Sequence, residues 1–334
     1  MASGGFYDPG VVKVFMIYSN IIAIITIIIA PIYFYIIITQ SKILGRFKWF
    51  ILNYSLWSFL LSLATVITKP ILLLNSASGF LGGILRNTSK QVAVVALFVL
   101  LSLMIMSFGG ICMTITYRYF GLFFGKIRNT CHSLPMICFF GCLHLFFIFL
   151  LFFFGIKAMN VSQEIMIQQA LNYSIDLKPF TKEKTFIFIA EEIHSVPDIF
   201  VMMVTVAVIT LFLVFIYLLY HELPSLIRKE HQRTLVISII AQSLVTITFE
   251  LIPFTFLFVC IKFKIPNSGP IMGVLEMFVV THTFAEYCIT LYLVSPYRRF
   301  IQNKIKYFKK VLKILPPKKT IIILPQKGIT NIVC

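Results

Sequence analysis

Seven apolar runs constrain this chain more than any other feature: residues 14–39, 49–74, 92–116, 134–156, 196–220, 235–261 and 271–294, each between 23 and 27 residues long. A bilayer core about 30 Å thick takes roughly 20 apolar residues in a helix. Lipid offers the backbone no partner, so a lone crossing segment must satisfy its amides within the helix. The longest leftovers, 157–195 and 295–334, are too short for a second folded domain. The expected fold is an all-α membrane protein, a seven-transmembrane helix bundle. Residues 1–13 would form an exterior N-terminus, 14–294 the bundle, 295–315 an amphipathic juxtamembrane helix and 316–334 a tail. The first run is read as a retained span, because at 26 residues it exceeds the about 7–15 apolar residues of a signal peptide.

Charge then orients the bundle. Only 12% of residues are charged and 59% are hydrophobic, against about 25% and 45–50% in soluble domains. Yet 29 Lys and Arg outnumber 12 Asp and Glu, giving +17, which in a soluble chain would point to nucleic acid. Nineteen of the 29 basic residues lie in loops 40–48, 117–133 and 221–234 and in the C-terminal segment 295–334. Lys and Arg beside spans stay on the cytoplasmic side, so the N-terminus is expected outside and the C-terminus inside. The sequons at Asn87, Asn160 and Asn172 fall in the exterior loops and agree, since acceptor Asn faces the lumen. A fourth sequon, at Asn53, lies within the second run. After residue 294, Tyr297, Ile301, Ile305, Phe308, Leu312 and Leu315 recur at helical spacing among Arg298, Arg299, Lys306, Lys309, Lys310 and Lys313. This describes a helix lying on an anionic inner leaflet and excludes a nucleic-acid partner, whose binding would need the same charges free in solution.

Catalytic patterns are absent. The six His follow no metal spacing and no phosphate-binding Gly loop occurs, so no cofactor is expected. Gly79-x-x-Gly82-Gly83 reads as an exterior turn. No Cys falls in loops 75–91 or 157–195, which rules out a disulfide between the third span and the second exterior loop. Ionisable groups within a bilayer are costly and turn toward the bundle interior. That places Glu250, His282, Glu286 and His144 inward, while Lys69 and Glu276, near outer ends, have room to snorkel. His282 and Glu286 share a helix face. A membrane metalloenzyme, an interhelical hydrogen-bond pair and a receptor cavity all accommodate them. Pro31, Pro70, Pro197 and Pro253 break or kink their spans. Arg118, at the inner end of the third span, is either a positive-inside anchor or a gate reaching toward spans five and six.

Local sequence narrows these choices. Segment 47–63, with Lys48-Trp49, Leu52-Asn53-Tyr54 and Trp57–Leu61, resembles the start of the second span in the nematode serpentine chemoreceptors of class H; Ser62 departs where that family has Asp. Gln242 and Pro253 are spaced as in its sixth span. Pro296-Tyr297-Arg298-Arg299-Phe300 resembles the close of its seventh, and Tyr117-Arg118-Tyr119 its Asn-Arg-Tyr motif. Thr116 replaces the preceding acid, which removes an acid–Arg latch within that helix. The resemblance spans about residues 40–300. It implies a G-protein-coupled receptor fold and a chemosensory receptor in ciliated neurons, with a small external chemical as ligand and a heterotrimeric G protein as partner. On that reading Asp198, Glu250, Glu276 and His282 are ligand-lining candidates, and Arg118, Tyr119, Arg228, Lys229 and Arg233 form the G-protein face. The rival is a small-solute transporter or channel with a polar path through Glu250, His282 and Glu286, against which the chain shows no repeated halves.

Overall fold

The computed structural model describes residues 8–41, 47–73, 76, 78–123, 159–189, 240–263, 265 and 268–314, with single positions between 141 and 156 and at 217 and 237. The runs at 134–156 and 196–220 therefore lie, as continuous elements, outside the described residues. The helices are α1 (Pro9–Gln40), α2 (Phe47–Thr68), α3 (Lys90–Phe123), α4 (Gln163–Tyr173), α5 (residues 240–263), α6 (Gly269–Leu293) and α7 (Ser295–Ile314). Among the described residues, α1, α2, α3, α5 and α6 are long and apolar enough to cross a membrane.

These helices pack with inverted polarity. On α1 the buried face carries Ser19, Thr26 and Ala30, while Ile17, Ile24 and Ile28 are more than half exposed. A water-soluble helix does the reverse. Bulky aliphatic side chains lose nothing in lipid, whereas small and polar groups gain from close contact and interhelical hydrogen bonds. Gly110 of α3 shows the closeness: a Cβ there would stand 3.0 Å from the Tyr54 Cα of α2. α2 packs chiefly on α3, and α6 on α1, α2 and α5.

The second span ends earlier than its hydropathy suggests. Pro70 disfavours a helical residue before it, and Lys69 takes φ 43°, a left-handed helix stop. Residues 70–73, expected to remain in the span, instead form β1 (Pro70–Leu73). β1 pairs antiparallel with β2 (Ser78–Leu81), which pairs antiparallel with β3 (Ile187–Phe188). The backbone after β2 returns onto α2. Gly83 N–H donates to the Thr68 carbonyl and Ile84 N–H to Ile67, each at 3.0 Å, which satisfies carbonyls a helix end leaves open. A Cβ on Gly83 would collide with the Ile67 carbonyl, so glycine is required here. Lys69 does not snorkel as expected. It is buried, and its Nζ donates to Asn20 Oδ1 (2.7 Å) and the Met16 carbonyl (3.2 Å) of α1.

The sheet, α4 and two 3-10 turns form a cap with its own core of Leu73, Phe80, Met166, Leu177, Phe180 and Phe186. Loop 157–195 is thus folded, at least over its described part. Hydrogen bonds do the tying that a disulfide would otherwise do: Arg86 grips Glu183 through two bonds of 2.6 and 3.1 Å, and Lys90 Nζ donates to the Val161 carbonyl. At the opposite end, α7 begins as predicted. Tyr297 is fully buried against α1 and α2, with its hydroxyl 2.5 Å from Ser41 Oγ. Ile305, two stripe residues further, is half exposed.

Candidate functional site

Three helices carry polar stripes at a spacing of three or four residues: Ser55, Ser58, Ser62 and Thr65 on α2, Gln242, Thr246 and Glu250 on α5, and His282, Glu286 and Thr290 on α6, all buried. Because α2, α5 and α6 adjoin, the stripes meet in one network. Glu250 reaches it from a distorted turn. Pro253 has no N–H to bond within the helix, and the turn before it, Ile247–Leu251, is π-helical. Such a bulge shifts side-chain directions locally and recurs at functional sites.

Hydrogen accounting fixes the donors around His282. Thr246 donates to the Gln242 carbonyl (3.1 Å), so its oxygen accepts from the Tyr54 hydroxyl (2.9 Å). The Tyr54 oxygen is then an acceptor for His282 Nε2 at 3.1 Å, and Glu250 Oε2 stands 3.5 Å from the same nitrogen. Thr283 donates to the Ser58 carbonyl (2.8 Å), so the single hydrogen of the Ser58 hydroxyl faces two acceptors, Thr283 Oγ1 at 2.9 Å and His282 Nδ1 at 3.3 Å. A neutral ring with its hydrogen on Nε2 donates toward Tyr54 and Glu250 and keeps Nδ1 as an acceptor for Ser58. Ser107 of α3 donates to Glu250 Oε2 at 3.4 Å. One turn from His282, Glu286 Oε1 accepts from Ser55 (2.5 Å) and from Tyr33 of α1 (3.5 Å). The ring of Tyr33 stacks on Tyr287 with centroids 3.9 Å apart, and Gln242 donates to Thr290 at 2.7 Å.

Satisfaction is incomplete. Glu250 Oε1 and Glu286 Oε2 are buried with no hydrogen-bond partner, and an unmet buried polar atom costs about 1–3 kcal/mol. Among the described residues no group of three His, Cys, Asp or Glu is arranged to hold a metal ion.

Of the ligand-lining candidates, the structure brings Glu250 and His282 together. Glu276 lies apart, against the Leu72 backbone of β1, with a buried Oε1 that has no partner. Asp198, Arg228, Lys229 and Arg233 lie outside the described residues, as does His144. Arg118 and Tyr119 extend α3 beyond its membrane-crossing stretch, and their side chains are likewise outside the description. Asn87, Asn160 and Asn172 are all exposed. Sequence reasoning did not single out Tyr33, Tyr54, Ser55, Ser58, Ser107 and Thr246. The visible signal for Ser55 and Ser58 was the hydroxyl stripe on α2, about one polar residue per turn; Tyr33, Ser107 and Thr246 lie on other helices.

An inverted-polarity helix bundle with a polar centre, a folded cap at one end and an amphipathic helix at the other defines a multi-pass membrane protein. The family model described as Serpentine type 7TM GPCR chemoreceptor Srh matches residues 12–307. The chain belongs to that family, and with it to the seven-transmembrane chemosensory receptors rather than to any enzyme class. Comparison with curated proteins returns no match.

Proposed function

We propose that this receptor binds a small external chemical within its helix bundle, beside Glu250 and His282, and activates a heterotrimeric G protein from its basic face. The observation that carries this reading is the buried cluster at the π-helical turn. It joins a polar centre to the one described span, α5, whose helical geometry is locally broken. A ligand that alters the Glu250 contacts acts directly on that turn, and α5 is the element whose inner end would swing. Ligand binding shifts a pre-existing equilibrium by its differential affinity for the two states. Arg118, with Tyr119, Arg228, Lys229 and Arg233, would meet the G protein. The N-terminus faces outward, and Asn87, Asn160 and Asn172 carry glycans. α7 rests on the anionic inner leaflet, and the receptor works in the plasma membrane of sensory cilia.

The test is a screen of small volatile and soluble compounds on cells expressing the chain with a promiscuous G protein, repeated with Arg118→Ala. Loss of the evoked signal with surface expression retained is the expected result. An undiminished response in that variant, or a ligand-evoked current in cells lacking G proteins, overturns the reading.

A further inference from the structure

The polar centre is one-sided in charge. None of the seven apolar runs contains Lys or Arg except Lys69, and that ammonium is engaged by Asn20 and Met16. Each glutamate is held by one oxygen while the other is left open. Glu250 Oε2 meets Ser107 and His282, and Oε1 has no partner. Glu286 Oε1 accepts from Ser55 and Tyr33, and Oε2 has no partner. Both residues are fully buried. His282 lies between them, touching Glu250 and one turn from Glu286, and as a neutral ring it supplies no compensating charge. Two carboxyl groups, each with a buried oxygen that has no hydrogen-bond partner, in a bundle without a mid-span base, are complementary to a cation that can donate hydrogen bonds. The absence of a metal-holding group among the described residues and the aromatic ring of Tyr54 beside His282, centroids 6.3 Å apart, favour an organic ion over a bare metal ion.

We infer that the site formed by Glu250, Glu286, His282 and Tyr54 takes the ammonium group of a small organic amine. This rests on the receptor reading above and names its ligand class. The test uses the full chain in nanodiscs, following thermal unfolding with methylammonium, n-hexylammonium or benzylammonium. The comparisons are n-hexanol, benzyl alcohol, hexanoate and sodium chloride at equal ionic strength. At least one amine raises the unfolding midpoint by about 3 °C near saturation, and the matched alcohols and hexanoate do not. Glu250→Gln or Glu286→Gln weakens its apparent affinity roughly 30-fold, whereas Glu183→Gln in the cap leaves it unchanged. Should one glutamate variant fail to fold, the other carries the comparison. No shift with any amine, equal shifts with the alcohols, a response to sodium alone, or an amine shift that survives in both glutamate variants overturns the inference. G-protein activation measured in parallel separates the two readings. Amine binding without activation removes the receptor mechanism and keeps the site, while activation only by a neutral or anionic compound does the opposite.

Discussion

Tyr54 shows how much one side chain carries. Its hydroxyl links Thr246 on α5 to His282 on α6 from a position on α2, so three helices depend on one oxygen. Replacing it by Phe strands groups at both ends. Tyr54→Phe should lower stability by about 1–3 kcal/mol, read as an earlier thermal unfolding of the detergent-solubilised protein. An unchanged midpoint would show that the network is not bonded as described. Glu250 and His282 were marked in advance because ionisable residues are rare within spans and turn inward. The sequence marks Tyr54 only as part of a family motif and the serines not at all, because hydroxyls are common in membrane helices and nothing in their spacing says which neighbour they will find.

Among the elements, the cap departs most from the sequence reading. Its strands were read as loop and as the end of a span, because Pro70–Leu73 is as apolar as any helix turn. Leu73 is buried in the cap core, so hydropathy reported burial correctly and its setting wrongly. Two substitutions separate what holds the cap. Gly83→Ala forces the backbone away from the end of α2 and should cost about 1–3 kcal/mol, seen as reduced surface expression and a lower unfolding midpoint. Arg86→Ala removes a partly exposed ion pair and should cost no more than about 1 kcal/mol. Equal losses would make the ion pair, rather than the backbone return, the principal tie. The π turn in α5 belongs to this scale too. Pro253 announced a distortion, yet its form and its delivery of Glu250 to His282 depend on the packing of α5 against α6.

For the whole molecule, orientation is the property that every assigned role requires. Outward placement of the cap predicts that Asn87→Gln, Asn160→Gln and Asn172→Gln each increase electrophoretic mobility by one glycan when the chain is expressed in eukaryotic cells, and that Asn53→Gln does not. A sequon introduced into 221–234 should remain unmodified; its modification would invert the topology and with it the G-protein face. On that topology the +17 charge reports orientation, since 19 of the 29 basic residues fall in the loops and C-terminal segment expected inside.

Span number, charge asymmetry and the amphipathic pattern of α7 follow from amino-acid order, because the cost of putting polar groups in lipid depends on composition along the chain. Which residues meet across helices does not follow. A soluble helix declares its inner face by a broad apolar stripe, whereas α1, α2 and α6 mark theirs only by a few small or polar residues, so hydropathy fixes their rotation loosely. Close packing closes that question: Gly110 admits α2 against α3, the polar stripes find one another, and Glu250, His282 and Glu286 come to share a single centre.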